Sequence, residues 1–156
     1  MSSHYAQLAD WSNAMTEYVM VYRNIPAEKR AEPIDGGWSA RQILQHLMET
    51  EIIFSSRMRT AIANPGGSLL PFDPDLYEAR IPNDEVPDDL LLDALAALRS
   101  VNISLLRALP DEAWKQTVQH PEVGPQTLER IVGIFGNHVT NHLNDMKNAG
   151  LGVRAL

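Results

Sequence analysis

The chain has 156 residues, 44% of them apolar, enough for one domain with a full core and too few for two comfortable ones. Acidic residues number 20 against 13 basic, a formal net charge of −7, and no Lys/Arg cluster occurs, which argues against a nucleic-acid surface. Cysteine is absent, which removes disulfides, thiolate metal ligands and a cysteine nucleophile together. No apolar run is long enough to span a bilayer. The opening MSSHYAQLADW has neither the basic start nor the apolar stretch of a signal peptide. A single domain over 1–156 in the cytoplasm, with no membrane partner, is the expectation.

Four periodic segments follow one another. The first runs from about His4 to Asn24, with Leu8, Trp11, Met15, Tyr18 and Tyr22 at steps of three and four, one face of a helix. Ile25-Pro26 ends it, because the residue before a proline is pushed out of helical angles. The second opens at Ser39. Ser39 and Gln42 form a capping-box pattern with Trp38 placed to staple the entry. Ile43, Leu47, Ile52, Phe54 and Met58 carry it to about Ala63, where Asn64-Pro65-Gly66-Gly67 stops it.

Residues 68–88 are acidic and rich in proline, with Pro71, Pro74, Pro82 and Pro87 following Pro65. They read as a long connection with one short helical turn. Such loops usually have a function or pack across a surface, and this one is placed to shape a pocket mouth. The third segment spans about Pro87 to Leu109, with Leu91, Leu95, Leu98, Val101 and Leu105 as its stripe. A short turn holding Trp114 and a turn-rich link from His120 to Pro125 precede the fourth segment, which runs from about Thr127 to a natural stop at Gly150. Four amphipathic helices and no convincing strand predict an all-α, four-helix bundle with a long connection between the second and third helices.

The fourth helix has the stripe Leu128, Ile131, Phe135, His138, His142, Met146. Histidine takes two positions where the pattern asks for apolar residues. At i, i+4 they stand one turn apart, about 6 Å along the axis, and can reach one metal ion. On the second helix Ile43, His46, Leu47 and Thr50 share a face, so His46 also points inward. Three imidazoles from two helices would hold one divalent transition metal and leave further positions open, as catalytic or ligand-binding sites do. Neutral imidazole suits zinc, nickel, iron and cobalt alike. A lone inward histidine is more often a hydrogen-bonded core residue; three are costly to bury without a common partner.

GWSARQILQHL, LPDEAWKQTVQHPEVGPQTL and IFGNHVTNHLNDM, in that order and spacing, resemble the DinB-like superfamily of metal-dependent four-helix proteins. The resemblance covers most of the chain. It implies that His46, His138 and His142 bind zinc or nickel. It implies two chemistries: hydrolysis, and transfer of a low-molecular-weight thiol such as bacillithiol or mycothiol. It also implies a homodimer, which small bundles reach by pairing helix faces.

Glu49 is i+3 from His46, and Asp145 is i+3 from His142. Either could accept the second ring N–H of its histidine, and Glu49 could be a fourth ligand; a solvated helix face is the commoner fate of each. His4 and His120 read as surface residues, the latter at a pocket rim. Trp11, Trp38 and Trp114 read as core and staple residues. The leading expectation is therefore a metal-dependent thiol transferase, with metal-assisted hydrolysis its nearest variant. Either acts on a small molecule, and a thiol would have to come from a cosubstrate. The alternative is a non-catalytic stress-response bundle that binds a metal or small ligand.

Overall fold

The computed structural model describes residues 4–153. Four long helices form the bundle: α1 (Tyr5–Asn24), α2 (Ala40–Ala63), α4 (Asp88–Arg107) and α5 (Leu128–Asn148). A short α3 (Pro74–Arg80) lies in the long connection, and β1 (Thr117–His120) and β2 (Gly124–Thr127) form an antiparallel hairpin before α5. The bundle matches the expected all-α class.

The ends form as local chemistry dictates. The Ser39 hydroxyl accepts from the Gln42 N–H at 3.2 Å and the Gln42 side chain accepts from the Ser39 N–H at 3.0 Å, closing the capping box at the start of α2. Thr127 caps α5 through the Arg130 N–H. Gly150, at φ +73°, lets the N–H groups of Gly150 and Leu151 turn back onto the Lys147 and Met146 carbonyls, a Schellman stop.

Helix directions explain the long connection. Trp11 meets Asn137 and Glu17 meets Lys147, so α1 and α5 run parallel. Arg41 reaches Asp88 and Arg59 reaches Asn102, so α2 and α4 also run parallel. Phe54 stacks on Phe135 while Ile43 lies beside His142, so α2 and α5 are antiparallel. A chain that leaves the end of α2 must travel back along the whole bundle to start a parallel α4. Residues 64–87 are that return strap. At one end the Leu69 N–H donates to the Gln119 carbonyl; at the other Arg41 donates to the Asn83 and Val86 carbonyls. The strap therefore runs back along α2 and passes His46 and Thr50, which share a crevice with its Phe72 and Pro74.

The core has two apolar clusters. One gathers Tyr18, Tyr22, Leu44, Leu47, Leu92, Leu95, Leu143 and Met146. The other gathers Leu8, Trp11, Phe54, Met58, Ile103, Leu106, Trp114, Leu128 and Phe135. Between them lies a buried polar layer. Arg99 donates to both carboxylate oxygens of Glu51, at 2.8–3.1 Å, and to the Phe135 carbonyl at 3.3 Å. Asn102 donates to Glu51 at 2.9 Å and to Ser55 at 2.7 Å. The layer ties α2, α4 and α5 together at one level.

Three expectations need correction. Residues 117–127 form a hairpin, not only a turn-rich link; its strands are too short for alternation to show, and Gly124 at φ +75° permits the tight return. Val101 and Leu105 on α4, and Ile52 on α2, are exposed. The inward positions of α4 include Arg99 and Asn102, whose polarity hid the true stripe. His4 is not a surface residue: its ring stacks on Trp114 with centroids 3.8 Å apart, where the start of α1 docks against the turn at 111–115.

Gly136 sits where α1 and α5 touch. A Cβ there would lie 2.1 Å from the Trp11 ring. Gly136→Ala is therefore expected to destabilise the fold by about 1–3 kcal/mol, read as a lower urea midpoint. An unchanged midpoint would contradict this close approach.

Candidate metal centre

Helix periodicity delivers the three histidines to one place. His46 projects from α2; His138 and His142, one turn apart, project from the antiparallel α5. The His46 and His142 Nε2 atoms lie 2.9 and 3.1 Å from the His138 Nε2. One ligand nitrogen from each ring falls within 4.8 Å of the others. Nitrogens held at about 2.0–2.1 Å around one tetrahedral ion are separated by about 3.3 Å, so the three rings are close enough that they could hold one ion.

The protein alone cannot satisfy these atoms. In a neutral imidazole each ring carries one N–H. If the His138 Nε2 donates to one neighbour, it has no lone pair left for the other. A cation bound by three unprotonated Nε2 atoms would remove the conflict and leave each Nδ1 protonated. The His46 Nδ1 then faces the Thr50 hydroxyl at 3.5 Å. Among the described residues the buried His142 Nδ1 has no hydrogen-bond partner, and the Asp145 carboxylate is 3.7 Å away. The Trp38 ring packs on His46 with centroids 4.8 Å apart, so the staple residue also walls the centre.

Electrostatics favour the neutral, ligating form. Burial holds His46 down to about 4, helped by the charge His142 would carry. Burial, then His142, His46 and the Arg99 guanidinium, holds His138 down to about 3. Burial lowers His142 too, opposed by Asp145. Unfolded histidine titrates near 6.5, so between that pH and about 3 the unfolded chain binds more protons. Stability of the metal-free protein is thus expected to be complete above pH 6.5 and to fall steadily toward pH 3–4. Unfolding midpoints at pH 7.5, 5.5 and 4.5 check the sign; midpoints that rise on acidification would contradict it.

The other candidates lie apart. The Glu49 carboxylate accepts from the Asn83 side chain at 3.1 Å, anchoring the strap to α2. Asp145 stands at the rim beside His142. His120 ends β1 and accepts the Glu122 N–H. Two cavities flank the triad along the α2–α5 crevice. One, of about 390 Å³, is bounded by Trp38, Ile43, His142, Asp145 and Asp35. The other, of about 170 Å³, is bounded by His46, Thr50, His138, Phe135, Ile134 and the strap residues Phe72 and Pro74. Thr50 shares the inward face of His46, so its role was visible in the spacing. Phe72 was not singled out, because only the parallel α2–α4 topology carries the strap past this point.

The model of the DinB superfamily matches residues 11–146. The chain belongs to the DinB superfamily. This DinB chain is 27% identical over 139 residues to an Oceanobacillus iheyensis protein named, by inference, a metal-dependent hydrolase; the match spans 86% of this chain and 80% of that one. A Bacillus cereus protein named in the same way is 27% identical over 115 residues, 72% of this chain and 66% of its own length, just under two thirds. Among solved structures, Bacillus subtilis YfiT, described as a probable metal-dependent hydrolase with an unusual four-helix bundle topology, superposes with a TM-score of 0.80 at 21% identity. It covers 96% of this chain and 89% of that one. A mycothiol-dependent maleylpyruvate isomerase gives a TM-score of 0.70 at 14% identity, over 93% of this chain and 63% of that one. At these identities the two structures establish the shared fold. Among the described residues no helix is long and apolar enough to cross a membrane.

Proposed function

We propose that this DinB chain is a metal-dependent enzyme acting on a small molecule, with one zinc or nickel ion held by His46, His138 and His142. The observation that carries this is the meeting of three imidazole Nε2 atoms, at 2.9 and 3.1 Å about His138, where one lone pair or one N–H on His138 cannot pair fully with both neighbours. A bound divalent ion would supply Lewis acidity, enough to ionise a coordinated thiol or water near neutral pH.

The surrounding residues favour thiol transfer over hydrolysis. Hydrolysis of a poor leaving group needs a proton carried to it by a positioned acid. Glu49 is engaged by Asn83, and Asp145, although it borders the larger cavity beside His142, is mostly exposed, so neither is a buried acid held against the triad. An ionised thiol needs no base at the moment of attack. The chain has no cysteine, so a low-molecular-weight cosubstrate of the bacillithiol or mycothiol kind would bring the sulfur. The fold shared with a mycothiol-dependent isomerase supports this. Hydrolysis is the second reading, favoured by the names of the sequence relatives. A homodimer belongs to the same proposal, with Leu90, Val101 and Leu105 exposed along α4 as the face for a second copy.

The test supplies the metal-loaded protein with a thiol and 1-chloro-2,4-dinitrobenzene, and separately with p-nitrophenyl esters. In the first reaction a carbon–sulfur bond forms, chloride leaves and the thiol proton goes to buffer. Thiol-dependent turnover that His142→Ala abolishes supports transfer. Ester cleavage alone supports hydrolysis. Stoichiometric metal with neither reaction returns the chain to a metal-binding, non-catalytic protein.

A further inference from the structure

We infer that the small crevice between the strap and α5 is a subsite for the apolar part of a molecule whose heteroatom reaches the three histidines. This rests on the metal-site proposal above and names what that site takes.

The crevice holds about 170 Å³ between Phe72, Pro74, Ile134, Phe135 and Thr50, with His46 and His138 at its base. No charged side chain bounds it. The 390 Å³ cavity on the other side of the triad shares none of its bounding residues and carries the carboxylates of Asp35 and Asp145. The centre thus opens toward an almost wholly apolar side and a larger mixed side, walled by Trp38 and Ile43, that also carries two carboxylates. A reaction that joins an apolar molecule to a more polar one would use both.

The apolar wall is built rather than incidental. Asp73 caps α3 by accepting the Asp75 and Leu76 N–H groups at 3.0 and 3.2 Å, and Pro74 occupies its first turn, as proline does at little cost. That fixes the chain on the C-terminal side of Phe72, whose ring meets Tyr77 edge-on with centroids 4.7 Å apart. Ile134, on the opposite wall, is 56% exposed, so an apolar occupant would remove its surface from water.

The test titrates the cobalt-loaded full chain with 1-alkanethiols from ethanethiol to hexanethiol, following the thiolate-to-cobalt charge-transfer band. Affinity is expected to rise about fourfold per methylene until the crevice is full. Phe72→Ala and the surface change Ile134→Asp should each weaken hexanethiol by about tenfold or more while leaving ethanethiol within about twofold. Thiol binding with no dependence on chain length, or a dependence both variants leave intact, overturns the subsite alone. A chain that gives no cobalt spectrum overturns the metal site, and the subsite falls with it.

Discussion

Arg99→Ala is expected to lower stability by about 3–5 kcal/mol, more than any other single change considered in the bundle. The Arg99 and Glu51 side chains are 4% and 2% exposed. Removing the guanidinium leaves the Glu51 carboxylate in the core with, among the described residues, only the Asn102 amide as a donor, an uncompensated buried charge. It also releases the Phe135 carbonyl on α5, one turn from His138. Replacing both partners, Glu51→Leu with Arg99→Leu, removes the charge altogether and should recover most of the loss, because a buried pair is often no more stabilising than apolar residues of similar volume. Urea unfolding of the two single variants and the double variant reads the cycle. Singles that cost less than about 1 kcal/mol would mean that water reaches this layer.

His138→Ala is expected to weaken divalent-metal affinity by at least about 100-fold, beyond the usual effect of losing a residue that merely supports a ligand. His138 Nε2 is the nitrogen that both other histidines approach. Without it, His46 and His142 remain on separate helices with a gap at the centre. The substitution should be well tolerated by the metal-free fold, because it also removes a buried imidazole that no protein group fully satisfies. Competition with a chromophoric chelator reads the affinity, and the unfolding midpoint of the metal-free variant reads the fold. Thr50→Val should have a smaller effect of the same sign, of about tenfold, by freeing the His46 ring from its hydroxyl.

Much of this arrangement was legible in the sequence. The four long helices follow from three- and four-step periodicity, and their ends from Ile25-Pro26, the Ser39–Gln42 box, the Asn64–Gly67 stop and Gly150. The histidines stood out because each interrupted an apolar stripe. What escaped was set by tertiary contacts. The stripe of α4 was misread because Leu98, Val101 and Leu105 continue an apolar row, whereas the inward positions are filled by Arg99 and Asn102 for a partner on α2. Nothing local to either helix announces that Glu51 and Arg99 will meet. The hairpin at 117–127 is held partly by strap residues 66–69 pairing along β1, a contact distant in sequence. The strap itself was recognised as long and proline-rich, but its course past His46 depends on α2 and α4 running parallel.

The proposed centre is one divalent ion between α2 and α5 on three imidazoles. Elemental analysis of untagged protein, purified without chelators, beside the variant His46→Ala/His138→Ala/His142→Ala, measures it most directly. About one zinc or nickel per chain in the native protein, and background metal in a variant that still folds, is the expected result. Equal metal in both proteins, or none in the native protein after incubation with either ion, would contradict it.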